Sequence, residues 1–128
     1  MAIKLNHTII LARDKRASAQ FLSEMLGLPA PVPFGPFFGV QTQNEVTLDF
    51  IDVEGDIPSM HYAFLISDSE FDEIFGRIKA RKLKYWADPD QSAAYQINTR
   101  DGGRAIYFED PSGHLLEILT RPYGSGDA

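Results

Sequence analysis

The sequence predicts an α+β fold built from two βαβββ modules, and three observations support this prediction. The chain resembles itself, with a histidine in the first apolar strand of each copy. A polar turn and an amphipathic helical pattern follow that strand in both copies. Each copy then closes on a short apolar strand with a carboxylate at its centre, which is Asp49 in the first copy and Glu117 in the second. The residues that align between the copies are His7 with His61, Leu11 with Leu65, Asp14 with Asp68, and Phe21 with Phe75.

In the first module, residues 3–11 are the first predicted strand. Asp14 suits the start of the following helix, because its carboxylate can accept backbone N–H groups of the first helical turn. Gly27 suits the end of that helix, where a left-handed backbone is inexpensive only without a β-carbon. Four prolines then predict a loop. Further strands are predicted at residues 38–41 and 46–52.

The second module follows a linker at residues 55–59, which contains glycine, proline and serine. Its first predicted strand, residues 60–66, is apolar. The Ser67-x-x-Glu70 spacing is that of a capping box, in which each side chain accepts a hydrogen bond from a backbone N–H at the helix start. Apolar residues at i, i+3, i+4 and i+7 from Phe71 predict a helix that buries one face. The remaining strands are predicted at residues 83–86, 95–97, 104–108 and 114–119.

The chain length is that of a single domain, and residues 1–128 are predicted to form one. Its two modules are predicted at about residues 1–54 and 59–121. Residues 122–128 are rich in glycine and polar side chains, which predicts a short flexible tail.

Composition excludes several classes of function. The net charge of −6 disfavours a nucleic-acid partner, because phosphate binding depends on clustered Lys and Arg. Cysteine is absent, so disulfides, thiolate catalysis and Cys-ligated zinc are excluded, and His, Asp and Glu are the strong metal ligands that remain. No apolar segment approaches the roughly 20 residues that span a bilayer, and no signal-peptide pattern precedes the charged residues 13–16. We therefore expect a cytoplasmic protein with no membrane and no nucleic-acid partner.

His7, His61 and Glu117 are candidate ligands of one divalent metal ion. Two histidines and one carboxylate leave coordination positions open for water or substrate on Fe, Mn, Ni or Zn. Taken singly, a histidine in an apolar strand is more often a hydrogen-bonded core residue than a metal ligand, and the alternative for Glu117 is an exposed strand face. Asp49 aligns with Glu117 in the repeat, which suggests a fourth ligand or a catalytic base, although a solvent-facing aspartate is an equal alternative.

Other side chains are candidates for the substrate wall. Phe38, Trp86 and Arg104 are predicted to bind substrate, and Tyr107 is predicted to act in catalysis, with a place in the apolar core as the alternative for each. The sequence contains no Gly-x-Ser-x-Gly elbow, no Walker loop and no Gly-x-Gly-x-x-Gly after a strand, which disfavours hydrolase and nucleotide-binding functions.

Three segments resemble motifs of the vicinal oxygen chelate superfamily, which includes glyoxalase I, bleomycin-resistance proteins and extradiol dioxygenases. They are residues 103–117 (GRAIYFEDPSGHLLE), Asn6-His7, and residues 60–64 (MHYAF). The resemblance covers nearly the whole chain. It implies a cup-shaped mixed sheet formed by the two modules, a homodimer, His7, His61 and Glu117 as metal ligands, and Tyr107 close to the substrate.

The resemblance implies a metal-dependent enzyme whose small substrate chelates the ion through adjacent oxygens, with a lyase, isomerase or dioxygenase reaction. In this hypothesis Asp49 or water moves protons and Tyr107 donates a hydrogen bond. Fosfomycin transfer is disfavoured, because Ile9 stands where those enzymes carry a threonine, and residues 98–103 lack their serine-rich cation loop. The competing hypothesis is a metal-free binding protein of the bleomycin-resistance kind.

Overall fold

The computed structural model describes residues 2–126. Its contacts divide into two compact units, of which the first ends at Pro58 and the second begins at Ser59. Each unit consists of a helix and a mixed β-sheet, so the predicted α+β class with two repeated modules is confirmed. Within residues 2–126, neither helix is both long and apolar enough to cross a bilayer.

The first unit is a complete βαβββ module. Its sheet has the order β1-β4-β3-β2, with β1 parallel to β4 and the other neighbours antiparallel. The elements are β1 (His7–Ala12), α1 (Lys15–Leu26), β2 (Val32–Phe34), β3 (Phe37–Gln41) and β4 (Thr47–Asp52).

Local sequence signals fix the limits of α1 as predicted. The Asp14 carboxylate accepts hydrogen bonds from the backbone N–H groups of Arg16 and Ala17, at 3.0 and 3.2 Å. Gly27 ends the helix in the left-handed conformation, with φ of 68°. The side of the sheet that carries Val40 is buried, and α1 contributes Leu22 and other apolar residues to the same core.

The second unit repeats this arrangement with one strand fewer. Its sheet has the order β5-β7-β6, with β5 parallel to β7 and β6 antiparallel to β7. Both halves of the predicted capping box are present, since the Ser67 hydroxyl and the Glu70 carboxylate each accept a backbone N–H at the helix start. The elements are β5 (His61–Leu65), α2 (Asp68–Ala80), β6 (Ala105–Glu109) and β7 (Leu115–Leu119), with a 3₁₀ turn at Arg100–Gly102.

Two strands predicted before β6 are not formed. Trp86 makes only isolated bridges to Ala94 and Tyr107. Tyr95 has a φ of 59°, and a left-handed residue cannot continue an extended ladder, so the strand predicted at 95–97 is wrong. The first strand also begins at His7 rather than Ile3, because its partner β4 begins at Thr47, which lies opposite His7.

Candidate functional site

Glu117 lies at the centre of the three-stranded sheet of the second unit. The register pairs it with Ala63 on β5 and with Tyr107 on β6, and residues paired in this way point to the same face. His61 lies two residues before Ala63 and therefore shares that face. Its Nε2 atom lies 2.9 Å from Glu117 Oε1. The sheet thus brings together two of the three predicted metal ligands.

The burial of this pair differs sharply between its two members. The Glu117 side chain is 2% exposed, whereas that of His61 is 45% exposed. A buried carboxylate is expensive unless hydrogen bonds or a positive charge compensate it. An imidazole nitrogen and a carboxylate oxygen that converge beside solvent are suitable donors for a divalent transition metal. The donor set of the second unit therefore fits such an ion.

Two tyrosine hydroxyl groups complete the surroundings of Glu117. Tyr123 donates a short hydrogen bond to Glu117 Oε2, and its hydroxyl lies 3.2 Å from that of Tyr107. The Tyr107 ring lies 5.6 Å from the His61 ring between centroids. Burial, followed by the hydrogen bond to Glu117, raises the pKa of Tyr123, and burial is also the largest cause that raises the pKa of Tyr107. Both phenols therefore stay protonated at neutral pH and can donate hydrogen bonds.

In the first unit, His7 and Asp49 lie on one face of the sheet. The register places His7 beside Thr47, and Asp49 between Ile9 and Gly39. This face borders a cavity of about 560 Å³. The cavity is lined by Asn6, His7, Pro29, Ala30, Val32, Phe34, Gly39, Gln41, Thr47 and Asp49.

Asp49 is a buried carboxylate of this cavity. The residue is only 8% exposed, and within residues 2–126 no hydrogen-bond donor or cation is paired with its side chain. The absence of a β-carbon at Gly39 provides the space for it, because a Cβ there would lie 3.0 Å from Asp49 Oδ1. An unpaired carboxylate in such a wall can bind a donor group of a ligand or accept a proton from it.

His7 is exposed, and its Nδ1 lies 2.8 Å from Asn6 Oδ1. An amide oxygen only accepts hydrogen bonds, so this contact keeps the proton on Nδ1 and leaves the Nε2 lone pair available. That is the tautomer in which a histidine binds a metal through Nε2. Within the described residues, however, no three His, Asp or Glu side chains form one cluster. The three-ligand set stays a prediction.

The other predicted substrate residues have different surroundings. Phe38 is on the face of β3 opposite Gly39 and the cavity, with the Arg16 guanidinium 5.0 Å from its ring centroid. Arg104 forms ion pairs with Asp68 and Asp72 of α2, at 3.1 and 2.8 Å, so its charge is already compensated. Trp86, in contrast, pairs with Tyr107, which itself lies opposite Glu117.

Tyr123 is a site residue that the sequence reasoning missed. It lies within the segment predicted to be a flexible tail, and residues 122–126 of that segment fold back onto the second unit. Residues 127 and 128 lie outside the described residues. The only signal in the sequence is a single aromatic residue among glycine, serine and proline.

Comparison with known proteins identifies the family to which this chain belongs. Residues 4–118 match the model of the Glyoxalase/Bleomycin resistance protein/Dioxygenase superfamily. The chain belongs to this superfamily, which confirms the predicted membership of the vicinal oxygen chelate group.

Individual relatives are similar over nearly their full length. The solved structure of "Oxidase ChaP-H1" is 60% identical, covers 96% of this chain and 99% of its own, and superimposes with a TM-score of 0.94. "Oxidase ChaP-H2" is 56% identical, with coverages of 99% and 100% and a TM-score of 0.96. A "Metallothiol transferase FosB" from Lysinibacillus sphaericus (strain C3-41) is 30% identical over 91% of this chain and 81% of its own length.

Proposed function

We propose that this protein is a divalent-metal-dependent enzyme that oxidises a small substrate bearing adjacent oxygen atoms. The observation that carries this proposal is the buried Glu117 carboxylate, which lies 2.9 Å from a half-exposed histidine on the same sheet face. A structural carboxylate on this strand would be replaceable by an apolar residue at lower cost. A metal ligand requires the charge.

His61 and Glu117 would hold the ion, with His7 as the third ligand. The Asn6 contact supports this role, because it leaves Nε2 of His7 able to bind a metal. His7 belongs to the other unit, so the proposal requires it to reach the pair from the same chain or from a second copy. A bound ion would supply Lewis-acid activation of the chelating oxygens.

The remaining residues bind the substrate and move protons. The cavity of the first unit has room for a small organic molecule, and its apolar lining favours one with a hydrophobic body. Asp49, which has no donor partner among residues 2–126, is suited to accept a proton from a substrate hydroxyl. Tyr107 is suited to donate a hydrogen bond, since its hydroxyl stays protonated at neutral pH.

An oxidative reaction is preferred to the lyase and isomerase reactions that the sequence also allowed. Two relatives that share more than half of their residues with this chain are named oxidases. The relative named a metallothiol transferase is half as similar, although its name supports a metal in this fold. Ile9 still disfavours fosfomycin transfer in this chain. We extend the proposal to a homodimer located in the cytoplasm, as predicted from the sequence.

The proposal is tested by the metal content of purified protein, after loading with Fe(II), Mn(II), Ni(II) or Zn(II) and removal of unbound ion. We expect about one equivalent per chain for the wild type and near-complete loss in His7→Ala, His61→Ala and Glu117→Gln. Glu109→Gln is the matched control, because Glu109 is an exposed carboxylate on the neighbouring strand. Oxygen consumption with catechol-like and hydroxyketone compounds then tests the oxidative reaction.

Mixing two defective variants tests where His7 comes from. If the site is shared between chains, refolding His7→Ala with Glu117→Gln creates one intact site per mixed dimer, or about a quarter of an equivalent per chain overall. If each site lies within one chain, the mixture binds no metal. Wild type that binds none of the four ions would instead favour the metal-free binding protein, for which the apolar cavity is the specific support.

A further inference from the structure

The segment that follows β7 folds back, and its backbone is bound by the carboxylate of Asp101. We call residues 121–126 the C-terminal hook. The backbone N–H groups of Gly124 and Gly126 donate to the two carboxylate oxygens of Asp101, at 2.9 and 3.1 Å. The Arg121 guanidinium donates to the Ser125 carbonyl oxygen at 2.7 Å and closes the hook on itself.

The fit between the hook and its anchor is close. A β-carbon at Gly126 would lie 2.5 Å from the Asp101 Cα atom, a distance that real side chains do not reach. Asp101 itself has a left-handed φ of 59° within the 3₁₀ turn, which directs its carboxylate to both N–H groups. A side chain at position 126 would therefore displace the hook from Asp101.

The hook carries Tyr123 to the buried carboxylate of the candidate metal site. Its hydroxyl donates to Glu117 Oε2, whereas Glu117 Oε1 faces His61 Nε2. The terminal torsion of a glutamate is soft, so a carboxylate without this donor could turn and offer either oxygen or both. With Oε2 engaged by Tyr123, only Oε1 is presented beside the histidine.

We propose that Tyr123 is a positioning residue that keeps Glu117 as a one-oxygen metal ligand, and that Asp101 maintains this arrangement by anchoring the hook. The inference rests on the proposed metal-dependent function. Hydrogen bonds from residues around a metal ligand set its orientation and basicity, and their loss typically lowers metal affinity about 10- to 100-fold. The Tyr107 hydroxyl lies 3.2 Å from the Tyr123 hydroxyl, so the position of the hook would also affect the hydrogen bond that Tyr107 is proposed to donate to the substrate.

The test uses Co(II) as the probe, because its visible absorption weakens as coordination number rises. We expect Tyr123→Phe to bind Co(II) about 10- to 100-fold more weakly and with a weaker absorption band, since Glu117 would then offer both oxygens. Asp101→Ala is expected to cause the same two changes through release of the hook. Tyr95→Phe is the matched control, because Tyr95 is an exposed tyrosine of the same unit and should leave both readouts at the wild-type values.

Thermal unfolding of each variant without metal separates positioning from folding. Tyr123→Phe retains the aromatic ring, so a fall in affinity at an unchanged melting temperature supports the proposal. The positioning role would be overturned if Tyr123→Phe kept the wild-type Co(II) affinity and spectrum. If Glu117→Gln abolished binding in the same experiment, the metal-dependent function would still stand. An effect of Tyr123→Phe without one of Asp101→Ala would overturn the anchoring role. Wild type that binds no Co(II) would overturn both the inference and the proposed function.

Discussion

Replacing Asp49 by asparagine should make this protein more stable and less active. Asp49 is 8% exposed, and no donor within residues 2–126 compensates its charge. Asparagine has nearly the same shape and lacks the charge, so the substitution removes the cost of burying an ion without opening a void. The variant isolates the energetic cost of this carboxylate.

The size of the effect follows from the position of the side chain at the cavity. A fully buried unpaired ion costs several kcal/mol, but the cavity gives the Asp49 carboxylate partial access to water. We therefore expect a gain of about 1–2 kcal/mol in the free energy of unfolding. For a domain of this length, that gain corresponds to a rise in melting temperature of roughly 3–10 °C.

Urea unfolding at pH 7 measures this gain, with Asp56→Asn as the matched control. Asp56 is an exposed aspartate of the same unit, so its substitution should change stability by less than about 0.5 kcal/mol. Loss of stability in Asp49→Asn would refute the reasoning, because it would mean that the charge is compensated. A gain in stability together with full turnover would refute the catalytic role of Asp49 alone.

Three further substitutions test other parts of the structure. Gly39→Ala should lower stability by about 1–2 kcal/mol in urea unfolding and weaken ligand binding in the cavity, because the new methyl group would lie 3.0 Å from Asp49 Oδ1. Arg104→Met should lower the free energy of unfolding by about 1 kcal/mol, and by less in 1 M salt, since two exposed ion pairs and a contact with the Phe71 ring are lost. Unchanged stability with weaker ligand binding would instead support its predicted substrate role. Burial raises the pKa of Asp110 above its unfolded value, so its contribution to stability is present at low pH and lost as pH rises through the folded pKa. In urea unfolding, the free energy of unfolding of Asp110→Asn should therefore match that of the wild type near pH 3.5 and exceed it at pH 7.

Features that depend on neighbouring residues in the chain could be predicted from the sequence. The Asp14 cap, the Gly27 helix end and the Ser67–Glu70 capping box are each formed within a few residues, and all three are present. The strand that carries Tyr107 and the strand that carries Glu117 were also predicted from their apolar runs, within one residue of their observed limits. Local hydrogen bonding and strand periodicity carry this information.

Features that depend on distant segments could not be predicted. Tyr95 takes a left-handed backbone while its N–H bonds to the Tyr85 carbonyl oxygen, and no property of the Tyr95 side chain indicates this. Tyr123 reaches Glu117 in a segment whose Gly124 N–H donates to Asp101, a residue twenty-odd positions earlier, and composition cannot reveal this contact. The ion pairs of Arg104 with Asp68 and Asp72 likewise depend on the position of α2, which the sequence does not show.

Besides their strand number, the two sheets differ at the position paired with the central carboxylate. The residue opposite the central carboxylate is Gly39 in the first unit, next to Asp49, and Tyr107 in the second, next to Glu117. Gly39 leaves space for the Asp49 carboxylate at the cavity wall, whereas the Tyr107 side chain lies beside the Glu117 carboxylate. The exchange of glycine for tyrosine at this one position therefore gives the first unit a space beside its carboxylate and the second unit a phenol beside its carboxylate.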